Sequence, residues 1–352
     1  MLADLVEHVI GVDTHRDTHS AAVIISPSAG LVDTYTVDAN CAGYEALLGF
    51  VTDLTEESGR VWAIEGTASY GAGLTAFLES CGEWVIEIDR PNREPRRLGD
   101  PKTDIDDAIL AGRQALGLDK FATPRARGDR EALRVVCAAR ELAVNHRRAA
   151  LNMLKANLVT APDKLRSELC AVKISTPRLV QRCAQLRNRP RENREFNQHL
   201  SVLRTLARQI QNLDEVIGGY DRDLAEITQD VCPRLLDEMG VGPVNAAQIY
   251  IAWSHPGRIR NEAAFAKLGG VAPIEASSGQ TLRHRLNRGG DRKLNRALHN
   301  IAITRSRVHA PTLAYINKRC RDGKTRREAR RCLKRYLARR FYKILENTPN
   351  TT

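Results

Sequence analysis

Long apolar runs are missing from this chain of 352 residues. None approaches the roughly 18 residues a membrane span needs, which excludes a transmembrane helix. Paired cysteines are missing as well. The eight cysteines, at 41, 81, 137, 170, 183, 232, 320 and 332, include no Cys-x-x-Cys, so neither a zinc ribbon nor a disulfide framework is indicated. A reducing cytoplasm fits that usage. The opening residues, MLADLVEHVIGVD, carry acids where a signal peptide needs bases and show no cleavage pattern. There is no Gly-x-Ser-x-Gly elbow and no lysine that would complete a Walker A loop, so hydrolase and kinase readings have no anchor.

Charge is present in quantity and unevenly placed. The net charge is +12, yet residues 1–110 hold 20 Asp/Glu against 7 Lys/Arg, a balance of −13, which leaves +25 for the remainder. Residues 283–343 alone carry 21 Lys/Arg and 3 Asp/Glu, a balance of +18. A basic stripe of that strength is the electrostatic footprint of nucleic-acid binding, because a polyanion relieves its self-repulsion.

Inside the acidic part, four carboxylates stand out. Asp13 ends the apolar run HVIGVD, and Glu65 ends VWAIE. Asp104 and Asp107 lie three apart in KTDIDDA, a spacing that puts both on one helix face. Carboxylates at strand ends face a shared crevice, and such a cluster is costly unless a divalent cation neutralises it. Mg²⁺ or Mn²⁺ is the expected ion, held by oxygen ligands and suited to phosphate chemistry. Asp106 points elsewhere on its helix. His15 and His19 lie within reach of the crevice, without a ligand role that the sequence alone assigns.

Periodicity predicts the elements around these residues. VIGVD, HSAAVIIS and LVDTYTV read as three strands of a meander, followed by strand–helix units with helices over 42–58 and 70–81 and strands at VWAIEG and WVIEI. The expectation is a mixed sheet covered by helices. A helix over 103–115 starts at Thr103, with Asp106 as the partner of a capping box. A long helix starts near Asp129, with Leu133, Val136, Arg140, Ala143 and Arg147 on one face. A second carries Leu203, Leu206, Ile210, Leu213, Ile217, Tyr220, Leu224 and Ile227, a heptad seam that predicts a coiled coil. Its partner is expected across a dimer or tetramer interface, with antiparallel pairing to residues 129–160 as the rival. Gly218–Gly219 weakens it by about 1 kcal/mol per glycine.

From Pro233 a mainly helical region follows. LLDEMGVGPVNAAQIY reads either as a helix-hairpin-helix unit, with two turns of helix before the Gly-Val-Gly, or as an ordinary helical corner. The segment PIEASSGQTLRHR places Ser277 and Ser278 in a glycine-flanked loop beside Arg283 and Arg285, a nucleophile type next to cations. The tail over 324–346 reads as a basic helix with Leu333, Leu337, Phe341 and Leu345 on its packed face. The cations expected on nucleic acid are Arg283, Arg285, Arg288, Arg292 and Lys293, together with Arg326, Arg327, Arg330, Arg331, Lys334 and Arg335 in the tail.

The blocks IGVDTHRDTHSAAVI (10–24), VWAIEGTASYG (61–71), KTDIDDAILAGRQA (102–115), LLDEMGVGPVNAAQI (235–249) and LGGVAPIEASSGQTLRHRLNRGGDRKLNRALHNIAI (268–303) together resemble the DEDD transposases of insertion sequences that also carry a C-terminal serine. The resemblance implies an α/β RuvC-like domain with an RNase H fold at 1–125, a long-helix coiled-coil region at 126–232 and a transposase domain at 233–352. It also implies that Asp13, Glu65, Asp104 and Asp107 are the four acids and that Ser278 is the nucleophile, with Ser277 one register away. The serine is expected to join the acids from another subunit, on double-stranded donor and target DNA, guided by a structured bridge RNA. The setting it implies is the bacterial cytoplasm, at the nucleoid. The run after the serine, RLNRGGDRKL at 285–294, departs from the family's glycine-rich basic pattern and puts the loop geometry in doubt. Two other readings compete: a resolvase-like nuclease using acids and water alone, and a non-catalytic nucleic-acid scaffold.

Overall fold

Strict alternation along three central strands organises the acidic end of the chain. In the computed structural model, residues 1–56, 58–88, 103–170, 174–275, 284–285, 287 and 289–347 are described. The chain divides into two compact units, Met1–Ala126 and Arg127–Thr352.

The first unit begins with β1 (His8–Thr14), β2 (Thr18–Ile25) and β3 (Leu31–Asp38), an antiparallel meander. Then come α1 (Cys41–Thr55), β4 (Arg60–Glu65), α2 (Ala72–Ser80), β5 (Val85–Ile88) and α3 (Asp104–Leu116). β4 pairs in parallel with both β1 and β5, so the sheet order is β3-β2-β1-β4-β5. This is the mixed, helix-covered sheet that the periodicity predicts. Successive strand residues face opposite layers. Ile10, Val12, Ala21, Val23, Trp62 and Ile64 pack against α1 and α2, while Val9, Ala22, Ile24, Val61 and Ala63 pack against α3. Burying each such aliphatic side chain stabilises the unit by about 1.5–3 kcal/mol.

Two features fix α3 on the sheet. Thr103 and Asp106 form the expected capping box, which satisfies the first orphan amides. The buried face of α3 is built of Ala108, Ala111, Gly112 and Ala115, so its backbone lies directly on β1. A Cβ on Gly11 would meet the Ala108 carbonyl oxygen and the Gly112 backbone, and one on Gly112 would lie 2.8 Å from Ile24 Cγ1. At the far edge, Glu83 accepts from Arg60 Nε at 2.9 Å and from the Trp62 indole at 2.8 Å, tying β4 to the turn before β5.

The second unit starts with α4 (Asp129–Val159), α5 (Asp163–Cys170), α6 (Thr176–Ala184) and α7 (Arg194–Val231). α4 and α7 run antiparallel: Arg140 donates to Asp221 at 2.6 Å, and seven residues further along α4 Arg147 pairs with Asp214, seven residues back along α7. The seam of α7 therefore has a partner inside the chain, the arrangement held as the rival to an intersubunit contact. Its middle is thin. Leu203, Ile210 and Leu224 are buried, but Leu213, Ile217 and Tyr220 are only half-buried. Ala150, Leu154 and Leu158 join α5, α6 and the first half of α7 in a core at one end of the pair. Leu133, Cys137 and Leu224 form a smaller core at the other end, with Ala247.

The remaining elements are α8 (Pro233–Leu236), α9 (Pro243–Trp253), α10 (Glu262–Leu268), β6 (Ile274–Glu275), β7 (His284–Arg285), α11 (Arg292–Val308), α12 (Ala310–Arg321) and α13 (Arg326–Glu346). α8 is a single turn rather than the two expected, because the chain bends at Asp237 and enters the glycine turn. That turn is seated on α11. Gly240 lies against Thr304, Arg305 Nε donates to the Met239 carbonyl at 2.6 Å, and its Nη2 reaches Glu238, also at 2.6 Å. α12 has no counterpart in the sequence reading. On α13, Leu333, Leu337, Phe341 and Leu345 form the buried face, as their spacing predicts. No helix among the described residues is long and apolar enough to cross a membrane.

Candidate active site and nucleic-acid surface

The register of the sheet brings the predicted acids together. The last paired residues of β1 and β4 are Val12 and Ile64, so Asp13 and Glu65 follow side by side at the carboxyl ends of two parallel strands. Val61 and Ala63 face α3, and alternation puts Glu65 on that same side. Asp13 likewise follows Val9 and Gly11. α3 lies over β1 with its first turn at this end, which delivers Asp104 and Asp107.

Asp13 is nearly buried, whereas the Asp104 side chain is half exposed. Burial pushes the Asp13 carboxyl above its usual range; His15 opposes the shift, and the charges of Asp107 and Asp104 add to it. That mutual perturbation is the electrostatic mark of a carboxylate cluster awaiting a cation. Thr14 braces the second strand end by donating to the Glu65 carbonyl at 3.0 Å.

His15 is part of this cluster. Its Nε2 lies 3.1 Å from Asp13 Oδ2 and 3.2 Å from Asp104 Oδ1. The ligating atoms of Asp13, His15 and Asp104 all fall within 4.8 Å of one another. The donor set, carboxylate oxygens and one imidazole nitrogen, fits a hard or borderline divalent cation. The sequence signal for His15 was its i,i+2 relation to Asp13 in an extended chain. His19 turns the other way. It pairs across the strands with Thr14, is fully buried and stacks on Tyr44 with centroids 5.7 Å apart, and burial lowers its pKa.

Ser277, Ser278, Arg283 and Arg288 lie outside the described residues. The framework around that loop is defined. β6 and β7 pair in antiparallel register through Ile274–Arg285 and Glu275–His284. Gly270 and Gly290 approach so closely that a Cβ on Gly290 would lie 2.8 Å from Gly270 N, and Asp291 N donates to the Leu268 carbonyl at 2.7 Å. Asn295 donates to the Gly269 carbonyl at 2.6 Å and itself accepts from Lys334 Nζ at 2.5 Å.

That last bond corrects one expectation. Lys334 is buried, and burial lowers its pKa, with Arg331 adding to the shift; it braces the glycine junction instead of facing outward with the other tail cations. Arg285, Arg292, Lys293, Arg326, Arg327, Arg331 and Arg335 are exposed, and Arg330 is half-buried. Arg326 and Arg330 join Arg307 around a cleft of about 270 Å³, with Ile303, Leu313 and Ile316 also lining it. Lys293 and Arg296 both reach Glu141, in a second groove that also holds Arg140 and Arg148.

Comparison with known proteins agrees with this geometry. Residues 10–161 match the DEDD transposase model of IS110 elements, described as a transposase, and span Asp13, Glu65, Asp104 and Asp107. Residues 232–317 match the model described as the transposase IS116/IS110/IS902 family and span both serines. No curated protein matches the chain. A DEDD domain implies a RuvC-like fold and the use of divalent metal, consistent with the acidic cluster on this sheet. With both IS110-type transposase domains in order along one chain, the protein is a DNA transposase/recombinase.

Proposed function

We propose that this transposase cuts and rejoins DNA through a covalent serine–DNA intermediate, with Ser278 as nucleophile and Ser277 as the alternative one register away. The observation that carries the metal half of the reading is the convergence of Asp13, Asp104 and Asp107 beside the Glu65 strand end. Asp13, Glu65, Asp104 and Asp107 hold Mg²⁺ or Mn²⁺, which supplies charge neutralisation at the phosphate. The serine half rests on the sequence resemblance. In the first step the Ser278 Oγ–phosphorus bond forms and the bond to the leaving sugar oxygen breaks. That oxygen keeps the electron pair and gains a proton, and the serine proton passes to a base. Rejoining reverses this with a new strand hydroxyl, so the phosphodiester energy is conserved without ATP.

The partners proposed are double-stranded donor and target DNA and a structured bridge RNA, with +25 beyond residue 110 to meet their phosphates. The working form is a dimer or tetramer in the cytoplasm, in which the serine of the 233–352 domain serves the acid cluster of another protomer. Residues 126–232 form the helical region between the two catalytic parts. The acid-only nuclease is the second reading, because all four acids sit in one compact unit without the serine.

A trapped-adduct experiment separates the two. Under the proposal, S278A abolishes both adduct and recombinant product, S277A keeps measurable activity, and mass spectrometry places the nucleotide on the Ser278 peptide. Mixing S278A with D104N protein restores product if the site is shared between protomers. Efficient recombination by the S277A/S278A double variant would put the acid-only nuclease in front.

A further inference from the structure

We propose that His15 is itself a ligand of the divalent ion, through Nε2, so that the site carries one nitrogen donor in addition to its acids. The inference rests on the metal reading above and extends it to a residue outside the four-acid set.

Geometry carries it. Two ligands held about 2.1 Å from an octahedral ion lie about 3.0 Å apart when adjacent. His15 Nε2 stands 3.1 Å from Asp13 Oδ2 and 3.2 Å from Asp104 Oδ1, two edges of that length meeting at one nitrogen. All three ligating atoms lie within 4.8 Å, which leaves room for the third edge to be adjacent or nearly opposite. The imidazole is placed by the backbone. His15 N donates to the Thr18 carbonyl at 3.0 Å, closing the turn between β1 and β2, so the residue follows the strand with the same facing as Asp13. Half of the side chain is exposed, which keeps the nitrogen open to an ion arriving from solvent.

A merely hydrogen-bonding His15 predicts something different. In that role Nε2 carries a hydrogen toward a carboxylate, and any donor of similar reach would serve. As a ligand it offers a lone pair, with the ring proton on Nδ1. Imidazole also shifts preference among metals: a nitrogen donor favours transition ions over Mg²⁺, which takes oxygen almost exclusively. The ligand role therefore makes Mn²⁺ bind more tightly than Mg²⁺ by a margin that depends on His15.

The test uses full-length protein and Mn²⁺ or Mg²⁺ alone. Electron spin-echo spectroscopy of bound Mn²⁺ is expected to show ¹⁴N coupling that disappears in His15→Ala. Calorimetry is expected to show Mn²⁺ affinity falling about tenfold or more, with a smaller loss for Mg²⁺. His15→Gln keeps a hydrogen-bond donor but offers a poor ligand, and is expected to behave like His15→Ala. Bound Mn²⁺ without ¹⁴N coupling, coupling that persists in His15→Ala, or wild-type Mn²⁺ affinity in His15→Gln overturns the assignment while the acid site stands. Mn²⁺ binding that survives Asp13→Asn and Asp104→Asn together overturns the acid-site reading, and the ligand assignment with it.

Discussion

Gly11→Ala tests whether a backbone contact sets the spacing of the metal site. A Cβ at Gly11 would stand 2.8 Å from Gly112 Cα and nearer still to the Ala108 carbonyl oxygen and the Gly112 amide nitrogen. Ordinary van der Waals contact begins near 3.4 Å, so α3 must retreat by at least 0.6 Å, and no flexible side chain is available to yield instead. Asp104 and Asp107 ride on α3, whereas Asp13 stays on β1. Metal–ligand distances tolerate only about 0.2 Å, and catalytic constellations about 0.5 Å. The retreat exceeds both. Overpacking of this kind costs about 1–3 kcal/mol of stability, and a misplacement approaching 1 Å costs up to about 100-fold in rate. Gly11→Ala is thus expected to remain folded at low temperature, to melt several degrees lower, and to lose about tenfold to 100-fold in strand cleavage with weaker Mn²⁺ binding. Gly49→Ala on α1 is the control, since its Cβ meets nothing within 4 Å; it is expected to gain up to about 1 kcal/mol with no change in metal affinity. Melting curves, Mn²⁺ titration and single-turnover cleavage on labelled DNA read these effects. A Gly11→Ala protein with wild-type metal affinity and cleavage would refute the idea that this contact positions the acids.

Three further outcomes are expected. Asp104→Asn should abolish strand cleavage while leaving DNA binding in a gel-shift assay largely intact; near-normal cleavage sinks the four-acid assignment. Neutralising Arg326, Arg327, Arg330 and Arg331 together should weaken binding of unrelated duplexes about equally and reduce the slope of log affinity against log salt by about 3.6 units, whereas an unchanged slope removes this surface from the interface. Glu83 is held below its usual range chiefly by its hydrogen bond from Arg60. Its contribution is therefore complete above the unfolded value of 4.5 and is lost as the pH falls from there through the depressed folded value. Glu83→Gln should cost about 3 kcal/mol near neutrality and flatten the acid limb of a melting-temperature profile between pH 3 and 7; an identical acid limb contradicts the assignment.

Period-two patterning made the first unit legible, because a strand buried on both faces leaves its chemistry at the ends. Asp13 and Glu65 were readable there, and the i,i+3 spacing of Asp104 and Asp107 gave the helix face. Residues that act by being small were harder to see. AILAGRQA announces a helix, but nothing in the sequence says that Gly112 must lie on Gly11. The heptad seam of α7 shows that a helix needs a partner without saying which one; Arg140 and Arg147, at the same seven-residue spacing as Asp221 and Asp214, settle it only once the two helices are side by side. Lys334 misled because its neighbours are cations. It sits one residue from Leu333, inside an arc widened by Ala338, and lies beneath the surface that the arginines cover. The serine loop lies in the segment where the structure describes only the borders.

The α4–α7 pair has a mechanical consequence. At about 1.5 Å per residue, the 31 residues of α4 make a rod of about 46 Å. Apolar clusters grip it at its two ends, and the span between them is held by Arg140–Asp221 and Arg147–Asp214, exposed enough for salt to loosen them. Gly218 and Gly219 fall between those two aspartates. The rod is stiff at its ends and compliant at its waist. A rotation of 5° at the waist, acting over the half-length of about 23 Å, sweeps the tip formed by α5 and α6 through about 2 Å. Ionic strength then acts as a tuning screw on where that tip can reach.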